Sequence, residues 1–163
     1  MIELILLDVD GTLTNGELIY NQDLVESKSF NIKDGLGLVV WQKLGKKVAV
    51  ISGRHSEITA FRMKELGITS VYMGIVDKGK IASELKKELG LKSCEVACIG
   101  DDLNDLGMFK ECGLRFAPSD SAEWIKGFVD VVLCASGGKG AVREMIEHIL
   151  IRDGLKDEVL KFY

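Results

Sequence analysis

The stretch ELILLDVDGTLT, residues 3–14, decides the fold, because a short apolar run in it ends abruptly at two carboxylates and a glycine. A run of this length, broken in this way, predicts a buried strand whose carboxyl end opens into a loop. Asp8 and Asp10 are two positions apart, so both side chains lean the same way while the backbone stays extended. Two carboxylates there repel each other unless a cation lies between them, and oxygen ligands favour Mg2+. The alternative is a strand that ends in a solvated acidic turn.

Length and composition indicate a globular protein and exclude two classes of partner. The 163 residues suit a single domain, expected to span residues 1–163, and 47% of them are apolar against 28% charged. The net charge is -4 and the basic residues are scattered, so nothing indicates nucleic-acid binding. No apolar run approaches the roughly 20 residues of a membrane span, and we expect no leader, because residues 1–3 show neither a basic segment nor a small-residue cleavage site. We expect a cytoplasmic protein whose four cysteines are buried free thiols.

Strand-like and helix-like segments alternate along the rest of the chain. A weak alternation over residues 15–30 predicts a β-hairpin flap after the first strand. The other patterns predict strands at 47–51, 70–72, 95–99, 114–116 and 129–133, and helices at 36–44, 56–66, 78–89, 122–127 and 141–151. A short helix ends at residue 112, and the charged tail can add one more turn. This order predicts an α/β fold with three layers, a Rossmann-like parallel sheet with helices on both faces.

Three unusual loops follow strands of this predicted sheet. The first contains Asp8 and Asp10, the second is Ser-Gly-Arg at 52–54, and the third is Gly-Asp-Asp-Leu-Asn-Asp at 100–105. Ligands of parallel sheets collect at the carboxyl ends of the strands. The three loops can therefore converge on one site.

The order of these motifs resembles that of the haloacid dehalogenase-like phosphohydrolases. In that family an aspartate nucleophile is followed by a Ser or Thr at a strand end, a Lys at a helix start and a later acidic cluster. Asp8, Ser52, Lys78 and Asp101 match these positions. The resemblance implies that Asp8 attacks phosphorus, and that Asp10 protonates the leaving oxygen and then deprotonates the hydrolytic water. It also implies Mg2+ held by Asp8, the Asp10 carbonyl and Asp101.

Phosphoryl transfer needs its charge neutralised, and the resemblance assigns this to Lys78, the Ser52 hydroxyl and the backbone N–H groups of residues 10–12 and Gly53. Taken singly, Lys78 fits a solvated helix start and Ser52 fits a turn or N-cap equally well. One of two later aspartates could orient Lys78 or a metal-bound water, and the sequence leaves that choice open. The supporting positions are Thr12, Gly53, Asp102 and Asp105.

The spacing of the motifs leaves no room for a cap domain. About 41 residues separate Asp10 from Ser52 and about 25 separate Ser52 from Lys78, whereas a compact domain needs roughly 50 or more. We therefore expect no cap domain. Exclusion of water and selection of substrate must then come from a large substrate or from a neighbouring subunit.

Longer segments are similar to the 3-deoxy-D-manno-octulosonate 8-phosphate phosphatase family over nearly the full chain. They are FNIKDGLG at 30–37, SGR at 52–54, GDDL at 100–103 and GGKGAVRE at 137–144. That family is described as capless homotetramers whose sites are closed by adjacent subunits. A homotetramer joined through the hairpins is therefore implied, and pairing their edges would protect them.

The implied substrate is a phosphorylated 2-keto sugar acid, foremost the octulosonate 8-phosphate. Arg54 and Arg62 would meet its carboxylate or hydroxyls, because a guanidinium forks onto a carboxylate. The alternative is that both arginines lie on a solvated helix face. Met73 and Lys139 depart from the family's Gln and Arg and leave the sugar open. The implied substrate-binding residues are Asp10, Asn31, Ile32, Lys33, Asp34, Gly35, Arg54, Arg62 and Lys78.

Three functions compete on this sequence. The first is a Mg2+-dependent phosphatase acting on the octulosonate ester or on a nonulosonate 9-phosphate. The second is a non-catalytic tetramerisation module, which the presence of Asp8, Asp10, Lys78 and Asp101 disfavours. The third is a phospho-acceptor signalling domain, which would carry its aspartate on a middle strand of the sequence and not on the first.

Overall fold

A six-stranded parallel sheet forms the middle layer of the protein in the computed structural model, which describes residues 1–163. The strands of this sheet, together with a short hairpin, are β1 (Leu4–Leu7), β2 (Ile19–Tyr20), β3 (Glu26–Ser27), β4 (Lys47–Ile51), β5 (Val71–Tyr72), β6 (Val96–Ile99), β7 (Leu114–Ala117) and β8 (Val131–Val132). The order across the sheet is β5-β4-β1-β6-β7-β8, with every pair parallel. Strand β1 is therefore central, flanked by β4 and β6.

Six α-helices connect or follow these strands, largely where the sequence predicts them. They are α1 (Ile32–Lys43), α2 (Glu57–Glu65), α3 (Lys78–Glu88), α4 (Leu106–Glu111), α5 (Ala141–Arg152) and α6 (Lys156–Leu160). The predicted start of α1 at Leu36 is wrong, because Asn31 caps the helix by accepting the N–H of Lys33 at 2.8 Å. The helix predicted at 122–127 is a 3-10 helix, Glu123–Phe128. All four cysteines are free thiols, but the prediction that all are buried is wrong, since Cys94 and Cys134 are exposed.

Two apolar layers cover the faces of the sheet, as the three-layer prediction requires. Alternate side chains of β1 divide between them: Ile5 and Leu7 pack with α1, α2 and α5, whereas Leu4 and Leu6 pack with α3 and α4. All four residues of β1 are buried, which explains why the strand is a continuous apolar run. None of the helices has the length and hydrophobicity that crossing a membrane requires.

The hairpin between β1 and α1 is the only insertion at that point of the chain. Strands β2 and β3 pair antiparallel, with Ile19 opposite Ser27 and Tyr20 opposite Glu26. Each strand has two residues and most of their side chains are exposed. The hairpin flap is thus confirmed, and no cap domain separates the first motif from α1.

Two glycines let α3 approach α4 closely. A Cβ placed on Gly79 would lie 2.9 Å from the carbonyl oxygen of Gly107, a distance that real Cβ atoms do not adopt. Gly79 directly follows Lys78, and Gly107 lies two residues after Asp105. The close contact of these two backbones therefore brings the predicted lysine next to the acidic loop.

Substitution of Gly79 by Ala tests this contact. We expect Gly79→Ala to lower the free energy of unfolding by about 1–3 kcal/mol, because the added methyl must push α3 away from α4. Chemical denaturation measures the change. Gly127→Ala is the matched control, since a Cβ there meets nothing within 4 Å. Equal stability of the two variants would contradict the close contact.

Candidate active site

The predicted site residues meet at the carboxyl ends of β1, β4 and β6. Asp8 follows β1, Ser52 follows β4 and Asp101 lies two residues beyond β6. Lys78, the first residue of α3, donates from Nζ to Asp8 Oδ1 at 2.5 Å and to Asp105 Oδ1 at 2.7 Å. Residues separated by up to about a hundred positions are thus gathered at one edge of the sheet.

Asp105 is the partner that orients Lys78. Its side chain is fully buried, and its second oxygen accepts the N–H groups of Asp101 at 2.9 Å and Asp102 at 3.3 Å. Asp102 is exposed, and its carboxylate accepts the N–H of Leu103 at 2.7 Å. Of the two aspartates that the sequence left open, Asp105 is therefore the one that contacts Lys78.

Lys78 is buried although it begins a helix. Burial alone would lower its pKa, but the charges of Asp8 and Asp105 raise the pKa above its ordinary value. The helix dipole does not favour a cation at this end, and the side chain of Asp77 supplies the N-cap by accepting the N–H of Lys80. The lysine therefore stays charged because two carboxylates hold it, which is not the behaviour of a solvated helix start.

The carboxylates of this site fit a hard cation. Oxygens of Asp8, Asp101 and Asp105 lie within 4.8 Å of one another. Asp105 is already engaged by Lys78 and two N–H groups, so Asp8 and Asp101 remain as carboxylate ligands. Burial, and after it the charge of Asp8, raises the pKa of Asp101 to about 9. Such crowding of oxygens is relieved by a divalent ion such as Mg2+.

Gly11 allows Asp101 to reach the first loop. Its φ of +101° is rarely adopted by residues with side chains, and a Cβ at this position would overlap the Asp101 carboxylate. A Cβ on Gly137 would likewise overlap the carbonyl of Gly11, and Gly138 donates its N–H to the Thr12 carbonyl at 3.0 Å. The glycine-rich loop before α5 therefore packs directly against the first motif.

Two of the predicted backbone donors are free to bind an anion. The N–H groups of Asp10 and Gly53 make no hydrogen bond within the protein. The N–H of Thr12 instead donates to the Val9 carbonyl at 3.2 Å, and the buried Thr12 hydroxyl has no partner. Ser52 is buried, with its hydroxyl accepting from Arg54 N–H at 3.2 Å.

Two hairpin residues that the sequence analysis did not single out join the site. Lys28 contacts Asp10 Oδ1, and Glu26 accepts from Arg54 Nη2 at 2.7 Å and from the Ser56 hydroxyl at 3.2 Å. Residues 26 and 28 are two apart on one arm of the hairpin, so their side chains face the same way. That alternation is the signal that could have identified them.

The predicted sugar-binding segment is divided between the site and the core. Asn31 caps α1 and donates to the Gly138 carbonyl at 3.5 Å, whereas Ile32 and Lys33 are exposed. Asp34 is buried and accepts the N–H of Arg143 at 2.7 Å, at the first turn of α5. Burial raises the pKa of Asp34. Its contacts are those of a cap for α5.

Arg62 lies beside the same segment. A Cβ on Gly35 would lie 2.5 Å from its guanidinium, and the side chain also contacts Glu65 at 3.4 Å. Its Nε is buried without a partner. Arg54 lies nearer the catalytic residues, with Nη1 3.8 Å from Asp10 Oδ1. Neither arginine has the free, fully solvated position of the alternative interpretation.

Comparison with known proteins identifies the family. Residues 67–146 match the haloacid dehalogenase-like hydrolases. The chain is 41% identical to the 3-deoxy-D-manno-octulosonate 8-phosphate phosphatase KdsC of Haemophilus influenzae, over 94% of this chain and 85% of that protein. The chain belongs to the KdsC family. The KdsC of Escherichia coli K12 is 36% identical over 96% of this chain and 84% of its own.

Solved structures of the KdsC family share the fold and hold divalent metal ions. A phosphatase of this name from Moraxella catarrhalis, crystallised with magnesium, phosphate and KDO, superposes with a TM-score of 0.93 at 37% identity, covering 99% of this chain and 94% of that chain. The cobalt-bound Haemophilus influenzae protein gives 0.89 at 41% identity, covering 94% and 90%. The chain is therefore a phosphoric monoester hydrolase, and Mg2+ is its cofactor, as the sequence predicted.

The raised pKa of Asp101 predicts a pH-dependent stability of the metal-free protein. Its pKa is about 9 in the folded state against an ordinary 3.8, so the folded protein holds this proton more tightly than the unfolded chain does. The contribution of the Asp101 proton to the free energy of unfolding is complete below about pH 4 and is lost as the pH rises towards 9. We expect unfolding free energies, measured in urea with EDTA, to fall from pH 6 to pH 9.

Asp101→Asn is the control for that experiment, because an amide has no proton to lose over this range. In the variant, the free energy of unfolding should lack the part of its pH dependence that Asp101 supplies. In the unchanged protein, saturating Mg2+ should remove the same part, because the ion binds the ionised carboxylate. Parallel pH profiles for the two metal-free proteins would contradict the assignment.

Proposed function

We propose that this protein hydrolyses 3-deoxy-D-manno-octulosonate 8-phosphate to the free sugar acid and inorganic phosphate. The observation that carries the proposal is the group around Asp8: this carboxylate ends the central strand, contacts Lys78 and lies beside Asp101. The relatives named for this reaction match over nearly the whole chain. We further propose one cytoplasmic catalytic domain without a cap.

Two steps account for the reaction. Asp8 attacks phosphorus, the bond from phosphorus to the sugar oxygen breaks, and that oxygen takes a proton from Asp10. Asp10 then takes a proton from a water molecule, whose oxygen attacks the aspartyl phosphate and releases phosphate and the Asp8 carboxylate. Splitting the hydrolysis in this way replaces one difficult displacement with two easier ones.

The surroundings of Asp8 supply the positive charge that both steps need. Lys78 contacts Asp8, and the N–H groups of Asp10 and Gly53 make no hydrogen bond within the protein, so these three donors would bind the phosphoryl oxygens. Asp8, Asp101 and the Asp10 carbonyl would hold Mg2+, which would supply further neutralisation of the phosphoryl charge. The hydroxyl of Ser52, at the end of β4, would be a further hydrogen-bond donor to the phosphoryl oxygens.

The sugar end of the substrate would meet the arginines and the first turn of α1. Arg54 carries a positive charge next to Asp10, and Arg62 lies beside Gly35. A planar guanidinium suits the carboxylate of a 2-keto acid. Asn31 lies at the same edge, through its contact with Gly138, while Ile32 and Lys33 offer exposed side chains that a large substrate can reach.

The exposed apolar side chains of the hairpin support the proposal of a homotetramer. The hairpin beside the site exposes a group of apolar side chains that a monomer would leave in water, and pairing with other copies would cover them. These side chains are Leu18, Ile19, Tyr20, Leu24 and Val25.

Asp8→Asn tests the mechanism. We expect phosphate release from octulosonate 8-phosphate to fall at least about a thousandfold, because an amide cannot form the aspartyl ester. Phosphate release is measured with saturating Mg2+. The matched control is Asp157→Asn, in the exposed first turn of α6, which should retain full activity. Unchanged turnover by Asp8→Asn would end the proposed mechanism.

The substrate is tested with the unchanged protein. We expect kcat/KM for octulosonate 8-phosphate to exceed that for a nonulosonate 9-phosphate by about tenfold or more, a margin that a charged or hydrogen-bonded contact to the sugar can supply. Activity on the nonulosonate ester alone would replace the proposed substrate while leaving the chemistry intact. No activity on either ester would contradict the proposed class of sugar acid.

Ile19→Glu tests the assembly. A carboxylate in the middle of the hairpin patch should disfavour its burial, so we expect the tetramer to dissociate to smaller species in analytical ultracentrifugation, with a loss of activity as the sites open. Ile151→Glu, an exposed apolar residue on α5 away from the hairpin, is the control. An unchanged tetramer in Ile19→Glu would place the interface elsewhere.

A further inference from the structure

Two charged residues of the hairpin belong to a ring of charged groups that includes Asp10. Lys28, just after β3, is only 2% exposed in its side chain, and its Nζ contacts Asp10 Oδ1. The same Nζ lies 3.9 Å from Glu26 Oε1, which in turn accepts from Arg54 at 2.7 Å. Arg54 closes the ring, since its Nη1 lies 3.8 Å from Asp10 Oδ1.

Burial of Lys28 is unusual for this part of the molecule. Lysine is rarely fully buried unless it is paired, and desolvation of its charge is costly. The hairpin has only two residues in each strand and contributes no buried apolar side chain to the core. The buried charge of Lys28 therefore adds little to the packing of the hydrophobic core, and its contacts are with residues of the active site.

Glu26 fixes the other side of this ring. Burial pushes the pKa of Glu26 upward, but the hydrogen bond from Arg54 and the charges of Lys28 and Arg54 bring the pKa below its ordinary value. Glu26 also accepts from the Ser56 hydroxyl, which caps α2. The ring thus links the hairpin to the loop after β4 and to the loop after β1.

We propose that Lys28 is a positioning residue, which holds the Asp10 carboxyl group by its Oδ1 so that Oδ2 can carry the proton to the leaving oxygen. Asp10 Oδ1 is held by Lys28 and approached by Arg54, whereas Oδ2 has no hydrogen bond to the protein and remains available to the leaving oxygen. The proposal rests on the phosphatase mechanism given above. It makes the hairpin part of the catalytic apparatus of its own chain, in addition to any contact with other subunits.

Leaving groups that differ in their need for a proton separate positioning from a general structural role. A sugar alkoxide requires protonation as it departs, whereas p-nitrophenolate leaves without a proton. We expect Lys28→Met to lower kcat/KM for octulosonate 8-phosphate about 30-fold and that for p-nitrophenyl phosphate only about threefold. Lys28→Arg, which keeps the charge, should recover part of the loss. Lys80→Met, an exposed lysine on α3, should change neither value.

Equal losses on the two substrates would overturn the proposal, because misfolding or weakened phosphate binding affects both alike. A higher KM for the sugar ester at unchanged kcat would also overturn it, since Lys28 would then bind the substrate. If Lys28→Met melts well below the unchanged protein, Glu26→Gln is measured in its place. We then expect a smaller loss of kcat/KM, again larger for the sugar ester than for p-nitrophenyl phosphate. Equal losses on the two substrates would contradict the proposal.

The test of Lys28 does not depend on which sugar phosphate is the substrate. If the unchanged protein does not hydrolyse octulosonate 8-phosphate, the proposed function fails, and the same ratio is then measured with whichever alkyl phosphate the protein does hydrolyse. A preserved difference between alkyl and p-nitrophenyl esters would still support the role of Lys28.

Discussion

The buried ion pairs of Lys78 with Asp8 and Asp105 are the interaction on which the rest of the site depends. Three charged groups out of water are costly, and removal of one partner from such a network commonly costs about 3–5 kcal/mol. The surrounding backbone compensates: Asp105 accepts two N–H groups, and the contact of Gly79 with Gly107 brings the helices carrying the lysine and the aspartate together. The cationic group is thereby fixed before any substrate arrives.

Parallel strand order explains why a short chain can build such a site. Strand β1 lies between β4 and β6, so the loops after these three strands must open at the same edge. The loop that precedes α5 then packs against the first motif at Gly11 and Thr12. Carboxylates that would repel each other in solution are thus held together. Burial, and after it the charge of Asp8, raises the pKa of Asp101, and a divalent cation would relieve this repulsion.

The sequence predicted the features that depend on local pattern. Apolar runs ending in polar loops identified the strands and placed Asp8, Ser52 and Asp101 at one edge, and the resemblance added Lys78 to the site without choosing its partner. The start of α1 was predicted too late, because the glycines at 35 and 37 weaken the helical pattern whereas the Asn31 cap sets the boundary. Features that depend on distant contacts could not be predicted.

Three residues show what such distant contacts decide. Asp34 caps a helix more than a hundred positions away, so no local signal distinguishes it from a sugar ligand. The choice of Asp105 over Asp102 depends on which carboxylate the turn buries. Lys28 depends on how a hairpin with two-residue strands folds back over the first motif, and its pattern of alternation is too short to stand out in the sequence.

A crystal structure of the protein with Mg2+ and beryllium trifluoride, which mimics a phosphoryl group on a carboxylate, tests the central claim most directly. We expect beryllium bonded to an oxygen of Asp8, with Mg2+ contacting Asp8, Asp101 and the carbonyl of Asp10, and with Lys78 donating to a fluorine. Beryllium fluoride bound to another residue, or Mg2+ bound away from Asp101, would contradict it.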